Sequence, residues 1–397
     1  MKSNKKCALT INGGSSSIKF SLYQLDGTLT VLLFGEIENM GLENTKLNYE
    51  FYETNQKGSF DIKQENQDAV IHIMMDWLEK QEDFASVMGI GHRIVQGMKH
   101  TEPELITPEL LIELKTFSAF DPEHLPFEIK LIELFKERYQ SIAQIACFDT
   151  SFHGFMPEVA KWLSIPRRFN AKGIRRYGFH GLSYSYLLEE FERSAGKEAA
   201  KGRIIMAHLG NGASLAAVKD GKSVDTSMGF TPSSGIPMGT RTGDLDPGVA
   251  WYLMKIEKLN PKEFSHLINY ESGLLGISEI SSDVRELIKK IDSDIRAAQA
   301  IELFCYQAKK WIGSFAAVLG GLDTLIFSGG IGQNAPTIRQ RICIGLQFLG
   351  IEMEETRNMK NQMIISSDTS KVTVLVINTN EELMIARLVC RVLKWSP

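Results

Sequence analysis

A long stretch of this chain, from His208 to Pro247, is rich in glycine, serine, threonine and aspartate and poor in bulky apolar residues. This composition suits a backbone that approaches an anionic ligand closely, because glycine permits positive φ and carries no side chain to block the approach. Within the stretch, Arg241 stands between Gly239 and Gly243. An arginine on a glycine-flanked loop can bind a carboxylate or phosphate through two parallel hydrogen bonds. The stretch therefore predicts an anion-binding loop; an ordinary surface loop is the alternative.

Asn-Gly turns occur at two places, Asn12-Gly13 and Asn211-Gly212, each between an apolar run and an alternating run. Both patterns predict strand, tight turn and strand. The first is not a Walker A loop, because a strand follows it instead of a helix, but its backbone N–H groups could hold phosphate with Lys19 as a point charge. We interpret the pair as a weak internal repeat; chance similarity of two hairpins is the alternative.

Three further polar side chains follow or interrupt apolar segments. Arg93 lies in a short apolar strand, where a buried cation needs either a ligand anion or a salt bridge from elsewhere in the chain. Asp149 follows the apolar run 142–148, at the strand end where α/β proteins place ligand and metal contacts, although a helix N-cap is the alternative. His180 lies in a glycine-punctuated loop that would present it, with a core histidine as the alternative.

A glycine-rich turn at 329–334 follows the apolar strand 325–328 and precedes a helix that we expect from about Ala335. A strand followed by glycines and a helix N-terminus is a general, weakly specific device for contacting nucleotides. The pattern also predicts a long helix over 297–319 with an aromatic stripe that we assign to packing, and a closing helix over 381–392.

The composition bounds these assignments. A chain of 397 residues is too long for one ordinary core, so two domains are expected. A net charge of −4 with mixed signs argues against a nucleic acid or a membrane surface as the main partner. The five cysteines lack CxxC spacing, which favours reduced thiols in a cytoplasmic protein over disulfides or zinc. The apolar run near the N-terminus is too short for a signal segment, and no run approaches a membrane span.

Over essentially its whole length the sequence resembles the acetate kinase family of the sugar kinase, Hsp70 and actin superfamily. The resemblance lies in eight motifs, which are 11–20 (INGGSSSIKF), 91–95 (GHRIV), 148–150 (FDT), 175–181 (RRYGFHG), 208–212 (HLGNG), 238–247 (MGTRTGDLDP), 329–332 (GGIG) and 379–383 (TNEEL).

The resemblance implies an α/β fold in which a ribonuclease H-like domain is duplicated and the active site lies in the cleft between the copies. We expect an N-terminal domain of residues 1–148 closed by residues 381–397, and a C-terminal domain of residues 149–380. It also implies a homodimer.

The implied reaction is the reversible transfer of the ATP γ-phosphoryl group to acetate, giving acetyl phosphate and ADP with Mg²⁺, for which Mn²⁺ can substitute. Acetate arrives ionised, so the site must suppress repulsion between anions instead of supplying a strong base. By resemblance, Asp149, His180 and Arg241 are catalytic, and Arg93 binds substrate. The acyl pocket is implied to consist of Val95, Phe179 and Pro232, and the metal site of Asn12 and Glu381.

The residues implied to bind ATP are Lys19, His208, Leu209, Gly210, Asn211, Gly212, Asp283, Val284, Arg285, Gly329, Gly330, Ile331, Gly332 and Gln333.

The sequence departs from the family pattern at several positions. Gln96-Gly97-Met98 replaces His-Gly-Gly, Gln333 replaces a Glu, Glu123 replaces the Leu of the acyl pocket, and Ser233-Ser234 replaces Leu-Glu. None of these changes removes a catalytic residue, but a carboxylate near the pocket leaves the acyl preference open. The alternatives are therefore a propionate or other short-chain acyl kinase and, in a different class, a nucleotide-binding protein that has lost catalysis.

Overall fold

The computed structural model describes residues 6–14, 17–41, 44–64 and 66–395. The chain divides into two compact units: Met1–Ser151 with Asn380–Pro397, and Phe152–Thr379. The expected division placed residue 149 in the second domain, whereas Asp149 lies in the first unit. Ser15 and Ser16 of the N-terminal motif are outside the described residues.

The strands of the two units are β1 (Cys7–Gly13), β2 (Ile18–Gln24), β3 (Thr30–Glu38), β4 (Lys46–Phe51), β5 (Gln56–Asp61), β6 (Val87–Ile94), β7 (Glu104–Leu105), β8 (Ala143–Phe148), β9 (Ile204–Leu209), β10 (Ala213–Lys219), β11 (Lys222–Thr226), β12 (Thr324–Ser328) and β13 (Thr373–Val376).

The helices are α1 (Gln67–Glu79), α2 (Pro108–Phe117), α3 (Leu125–Arg138), α4 (Glu158–Lys161), α5 (Arg167–Asn170), α6 (Gly181–Ala195), α7 (Lys197–Ala200), α8 (Pro247–Lys255), α9 (Pro261–Tyr270), α10 (Gly273–Ser278), α11 (Val284–Lys290), α12 (Ile295–Leu319), α13 (Gly329–Asn334), α14 (Pro336–Cys343), α15 (Glu355–Met359) and α16 (Glu381–Leu393). Short 3₁₀ turns lie at Glu82–Ser86, Ser151–His153 and Gln347–Leu349.

The two sheets share one pattern of strand pairing. The first has the order β5-β4-β3-β2-β1-β6-β8-β7 and the second β11-β10-β9-β12-β13. In β3-β2-β1-β6-β8 the first two pairings are antiparallel and the last two parallel, and β11-β10-β9-β12-β13 repeats this sequence of senses. The repeat detected in the two Asn-Gly hairpins is therefore part of a true duplication of the α/β unit.

The expected hairpin at the N-terminus is confirmed. β1 pairs with β2 in antiparallel register from Cys7 opposite Gln24 to Gly13 opposite Ile18, and Asn12 lies opposite Lys19. The second hairpin pairs β9 with β10 in the same sense.

Each sheet is covered by helices that bury apolar side chains. In the first unit α1 and α3 contribute to a core with β1, β2 and β3, and α16 lies on the face of β6 that carries Gly89 and Gly91. A Cβ atom at Gly91 would lie 2.4 Å from Ile385 of α16, so these glycines permit the close approach of that helix. In the second unit, α6 packs on β9, β10, β12 and β13. None of the helices in the described ranges is long and apolar enough to cross a bilayer.

The segment 329–334 differs from its prediction as a glycine-rich turn. It forms the short helix α13 directly after β12, and α14 starts anew at Pro336. Gly329 has φ of +74°, and a Cβ atom there would lie 2.6 Å from the carbonyl oxygen of Leu209. Only glycine fits this close contact with β9, so the helix can begin one residue after the strand.

Candidate active site

In the first unit, five polar side chains form a connected group at the carboxyl ends of β1, β6 and β8 and the first turn of α16. Arg93 donates to Oδ2 of Asp149 from Nε at 3.1 Å and from Nη2 at 2.6 Å. Its Nη1 donates to Oδ1 of Asn12 at 3.1 Å, and the Asn12 amide donates to Glu381 and Glu382, each at 3.1 Å. Asp149 is fully buried. The sequence next to Arg93 contains no obvious partner for its charge, and the structure shows that this partner is Asp149.

The acidic side chains of this group stabilise the charge of Arg93, whereas Glu381 and Glu382 repel each other. Burial opposes the charge on the Arg93 guanidinium, but the carboxylates of Asp149 and Glu381 outweigh it and raise the pKa of Arg93 above its ordinary value. Burial and the neighbouring charge of Glu381 raise the pKa of Glu382. Glu381 and Glu382 thus form an acidic pair beside Asn12. Such oxygen donors fit Mg²⁺, which usually binds one or two carboxylates and completes its shell with water and substrate phosphates.

In the second unit, two histidine rings are stacked, with centroids 4.4 Å apart. His180 has φ of +59° at the start of α6, and its Nδ1 lies 2.8 Å from the hydroxyl of Ser214. His208 at the end of β9 is held through Nδ1 by Ser183, also at 2.8 Å. These hydroxyl contacts fix both ring planes. No sequence pattern indicates that Ser183 and Ser214 contact the histidines, because each becomes a neighbour of its histidine only when α6 packs on β9 and β10.

Arg241 lies near His180, on the other side of Gly212. A Cβ atom at Gly212 would lie 3.0 Å from Nε2 of His180 and 3.6 Å from Nη1 of Arg241, so a side chain there would enter the space that both groups border. Nη1 of Arg241 donates to the carbonyl of Pro232 at 3.1 Å. Gly273 packs against the Arg241 loop, where a Cβ atom would lie 2.1 Å from the Met238 carbonyl. The loop is therefore rigidly supported around its arginine.

The second unit also contains a cavity of about 640 Å³, a volume in the range of small-molecule sites. Seven of the residues implied to bind ATP line it, namely Gly210, Asn211, Asp283, Val284, Arg285, Gly330 and Ile331. The cavity is also lined by six residues that the resemblance does not assign to ATP, namely Gly239, Leu274, Ser282, Phe304, Asn334 and Ala335. Phe304 lies on α12, whose aromatic stripe is expected only to pack.

The other residues implied to bind ATP are not in this lining. His208, Leu209, Gly212, Gly329, Gly332 and Gln333 belong to the strand ends and the short helix beside it, and Lys19 lies in the first unit, 3.7 Å from Glu36. Arg339, fully buried, donates from Nη1 to the carbonyls of Gly332 and Gln333 and thereby anchors the C-terminal end of α13.

The residues expected to form the acyl pocket are all buried. Val95 lies in the first unit, whereas Phe179 and Pro232 lie in the second. The two serines at the departure 233–234 form hydrogen bonds within the second unit. Ser234 accepts from the N–H of Gly229 at 2.7 Å, and Ser233 donates to the side chain of Asn269.

At two of the remaining departures, Gln96 and Gln333, the side chain accepts a hydrogen bond from a nearby main-chain N–H. The buried Gln96 accepts from the N–H of Met98 at 2.9 Å. Gln333, with its amide oriented to satisfy both ends, accepts from the N–H of Thr379 at 3.0 Å, as a glutamate could. Glu123 is partly buried in the loop before α3.

The model of the Acetokinase family matches residues 7–387 of this chain. The chain belongs to the Acetokinase family. It is 41% identical to an acetate kinase of Rickettsia akari over 98% of the chain and all of that protein. It is 40% identical to a propionate kinase of Yersinia enterocolitica over 97% of the chain and 96% of the relative.

Among solved structures, a propionate kinase from Francisella tularensis is 35% identical and superposes with a TM-score of 0.92, covering 97% of this chain and 99% of its own. Membership of the Acetokinase family and this superposition confirm the duplicated α/β fold and make the chain a kinase.

Proposed function

We propose that this member of the Acetokinase family is an acetate kinase, which reversibly transfers the γ-phosphoryl group of ATP to acetate and yields acetyl phosphate and ADP with Mg²⁺. The observation that carries the proposal is the pair of arginines on strand-end or loop supports, Arg93 bound to Asp149 and Arg241 beside His180. Both substrates of such a reaction are anions, and fixed guanidinium groups are suited to reduce their repulsion.

In this reaction the arginines have complementary roles. Acetate is already ionised, so no side chain needs to remove its proton. Arg93 and Arg241 bind the acetate carboxylate and the phosphoryl group in transfer, and their charges stabilise the oxygens on which negative charge accumulates. Asp149 holds Arg93 in a fixed orientation and contributes a carboxylate to the metal environment.

His180 donates a hydrogen bond to the phosphoryl oxygens. Tyr184 contacts the hydroxyl of Ser214 at 2.6 Å, and that hydroxyl contacts Nδ1 of His180. When Tyr184 donates to Ser214 and Ser214 donates to Nδ1, the ring proton lies on Nε2, the nitrogen near Gly212. The order of these hydroxyls thus selects the tautomer that donates.

The metal and the nucleotide have separate supports. Asn12 and Glu381 would hold Mg²⁺, which when bound neutralises phosphate charge. The cavity of the second unit would take the nucleotide, with apolar contacts from Leu274 and Phe304 and polar contacts from Ser282 and Asp283. The free, buried cysteines support a reducing, cytoplasmic location for the enzyme.

Trapping of the product with hydroxylamine tests this function. The purified protein with ATP, Mg²⁺ and acetate is expected to form acetohydroxamate, and omission of Mg²⁺ is expected to abolish it. ATP binding without any hydroxamate would instead indicate a nucleotide-binding protein without catalysis. The same assay over formate, acetate, propionate and butyrate gives kcat/KM for each acid; a maximum at propionate would favour the propionate kinase alternative, which the Yersinia and Francisella relatives keep open.

We also propose that the enzyme is a homodimer formed through α8. None of the residues of α8 is buried, although Val249, Trp251, Tyr252 and Met254 are large and apolar. A helix that exposes such a surface usually has a protein partner.

Replacing Trp251 by Glu is expected to shift the protein from dimer to monomer in sedimentation velocity. Ile112→Glu is the matched control, because Ile112 is 66% exposed and Trp251 64%. A monomeric wild type, or equal behaviour of the two variants, contradicts the role of α8.

A further inference from the structure

The first unit contains a buried acid to which the reaction just described gives no role. Glu128 lies in the first turn of α3 and is only 2% exposed. Its Oε2 accepts a hydrogen bond of 3.0 Å from the main-chain N–H of Val95. The parallel pairing of β6 with β8 ends at Ile94, so the N–H of Val95 lies past the last strand pair and depends on Glu128 for its acceptor.

Burial and the charged groups around Glu128 favour its uncharged form. Burial, and then the negative charge of Asp121, raise its pKa well above the usual range, and Asp149 acts in the same direction, whereas Arg93 lowers it. Asp121 is itself 3% exposed and contacts Nδ1 of His124 at 2.9 Å. Glu128 therefore holds its proton more tightly than an exposed glutamate does.

Burying a carboxyl group at this position costs free energy, because the group is removed from water. An apolar side chain of similar length would fill the space under α3 without the cost of removing a carboxyl from water. Within the part of the chain that the structure describes, Oε1 of Glu128 makes no hydrogen bond, so the contact to Val95 is what a polar side chain contributes here.

The segment that Glu128 holds carries two groups of the proposed acid site. Arg93 is the last residue but one of β6 and binds Asp149 and Asn12, and Val95 follows the strand as an expected wall of the acyl pocket. A shift of the Val95 main chain would move both the arginine and the wall.

We propose that Glu128 is a positioning residue for the acid substrate, since its carboxyl group fixes the segment Arg93–Val95 through the main-chain N–H of Val95. This inference rests on the proposed transfer of phosphoryl to a carboxylic acid. The absence of charge on Glu128 is part of the role, because an ionised side chain would add repulsion beside the arginine that receives an anion.

The test compares two substitutions of near-equal size. Glu128→Gln keeps an acceptor for Val95 without a charge, so KM for acetate is expected to stay within about twofold of the wild type. Glu128→Leu removes the acceptor, and KM for acetate is expected to rise about tenfold, while KM for ATP stays within about twofold. Glu137→Leu, an exposed position on the same helix, is the control.

An unchanged KM for acetate in a folded Leu variant overturns the positioning role, and so does an equal rise in KM for acetate and for ATP. If the Leu variant does not fold, Glu128→Asp, whose shorter side chain withdraws the acceptor, takes its place with the same expected result. Absence of acyl phosphate from the wild type overturns the proposed function and this inference together, so the two failures are distinct.

Thermal unfolding gives a readout that does not need activity. Because the folded-state pKa of Glu128 is raised, the stability it contributes is complete below the unfolded value and is lost as the pH rises toward the folded one. The Gln variant lacks this loss. Its Tm advantage over the wild type is expected to grow as the pH rises above the usual pKa range of a glutamate; a difference that stays constant with pH would contradict a raised pKa of Glu128.

Discussion

An Arg241→Ala variant is expected to lose about 10³-fold in kcat while its KM for ATP changes by no more than about threefold, because the guanidinium acts on charge that develops in the transition state. The cavity proposed to bind the nucleotide is not lined by Arg241. The loop should remain in place, since Gly273 and Met238 support it through main-chain contacts. The measurement is steady-state kinetics in both directions, with circular dichroism to confirm the fold.

Arg241→Lys is the informative companion. It retains the charge but not the planar fork, so an intermediate rate is expected. A rate for the Ala variant close to that of the wild type would remove Arg241 from the catalytic group.

The pair of Arg93 and Asp149 is expected to affect activity and stability in separable ways. Arg93→Met leaves the fully buried Asp149 without its cation, and Asp149→Leu leaves Arg93 without its main carboxylate. Each single substitution is expected to reduce the free energy of unfolding by about 3 kcal/mol, because a charge remains in the protein without its ion-pair partner. The double variant is expected to lose less than the sum of the two.

Activity should not follow this recovery. All three variants are expected to lose at least about 10³-fold in kcat/KM for acetate, because the double variant restores packing and not the anion-binding group. Urea unfolding and the hydroxamate assay on the same preparations give the two quantities. Additive stability losses would show that the ion pair is not coupled, and recovery of activity in the double variant would show that it acts only on the fold.

Local chemistry predicts the hairpins and most helices well. The Asn-Gly turns occur where strands reverse, and Thr107, directly before Pro108, is the N-cap of α2 and accepts from the N–H of Leu110. The prediction of a turn at 329–334 is wrong because Gly329 is required by its close contact with Leu209 of β9, which is a tertiary constraint and not a turn signal.

The contacts of the candidate site are less accessible from sequence. Arg93 and Asp149 are 56 positions apart and meet because β6 and β8 are parallel neighbours. Glu128 lies in a helix with no local sign of a role, since its partner is a main-chain N–H of another element. The resemblance implies residue roles, which stay predictions. It does not indicate the hydroxyls of Ser183 and Ser214 that fix the histidines, or the contact of Glu128 with Val95.

The return of residues 381–393 to the first unit governs when that unit can be completed during synthesis. Asn12 and its partner Glu381 are 369 positions apart. While the ribosome is still making the second unit, β1, β6 and β8 already exist, but the face bearing Gly89 and Gly91 lacks α16, the helix that covers it. The unit that is translated first is therefore completed last. Until α16 has been made, the sheet face that it covers must be shielded from non-native contacts.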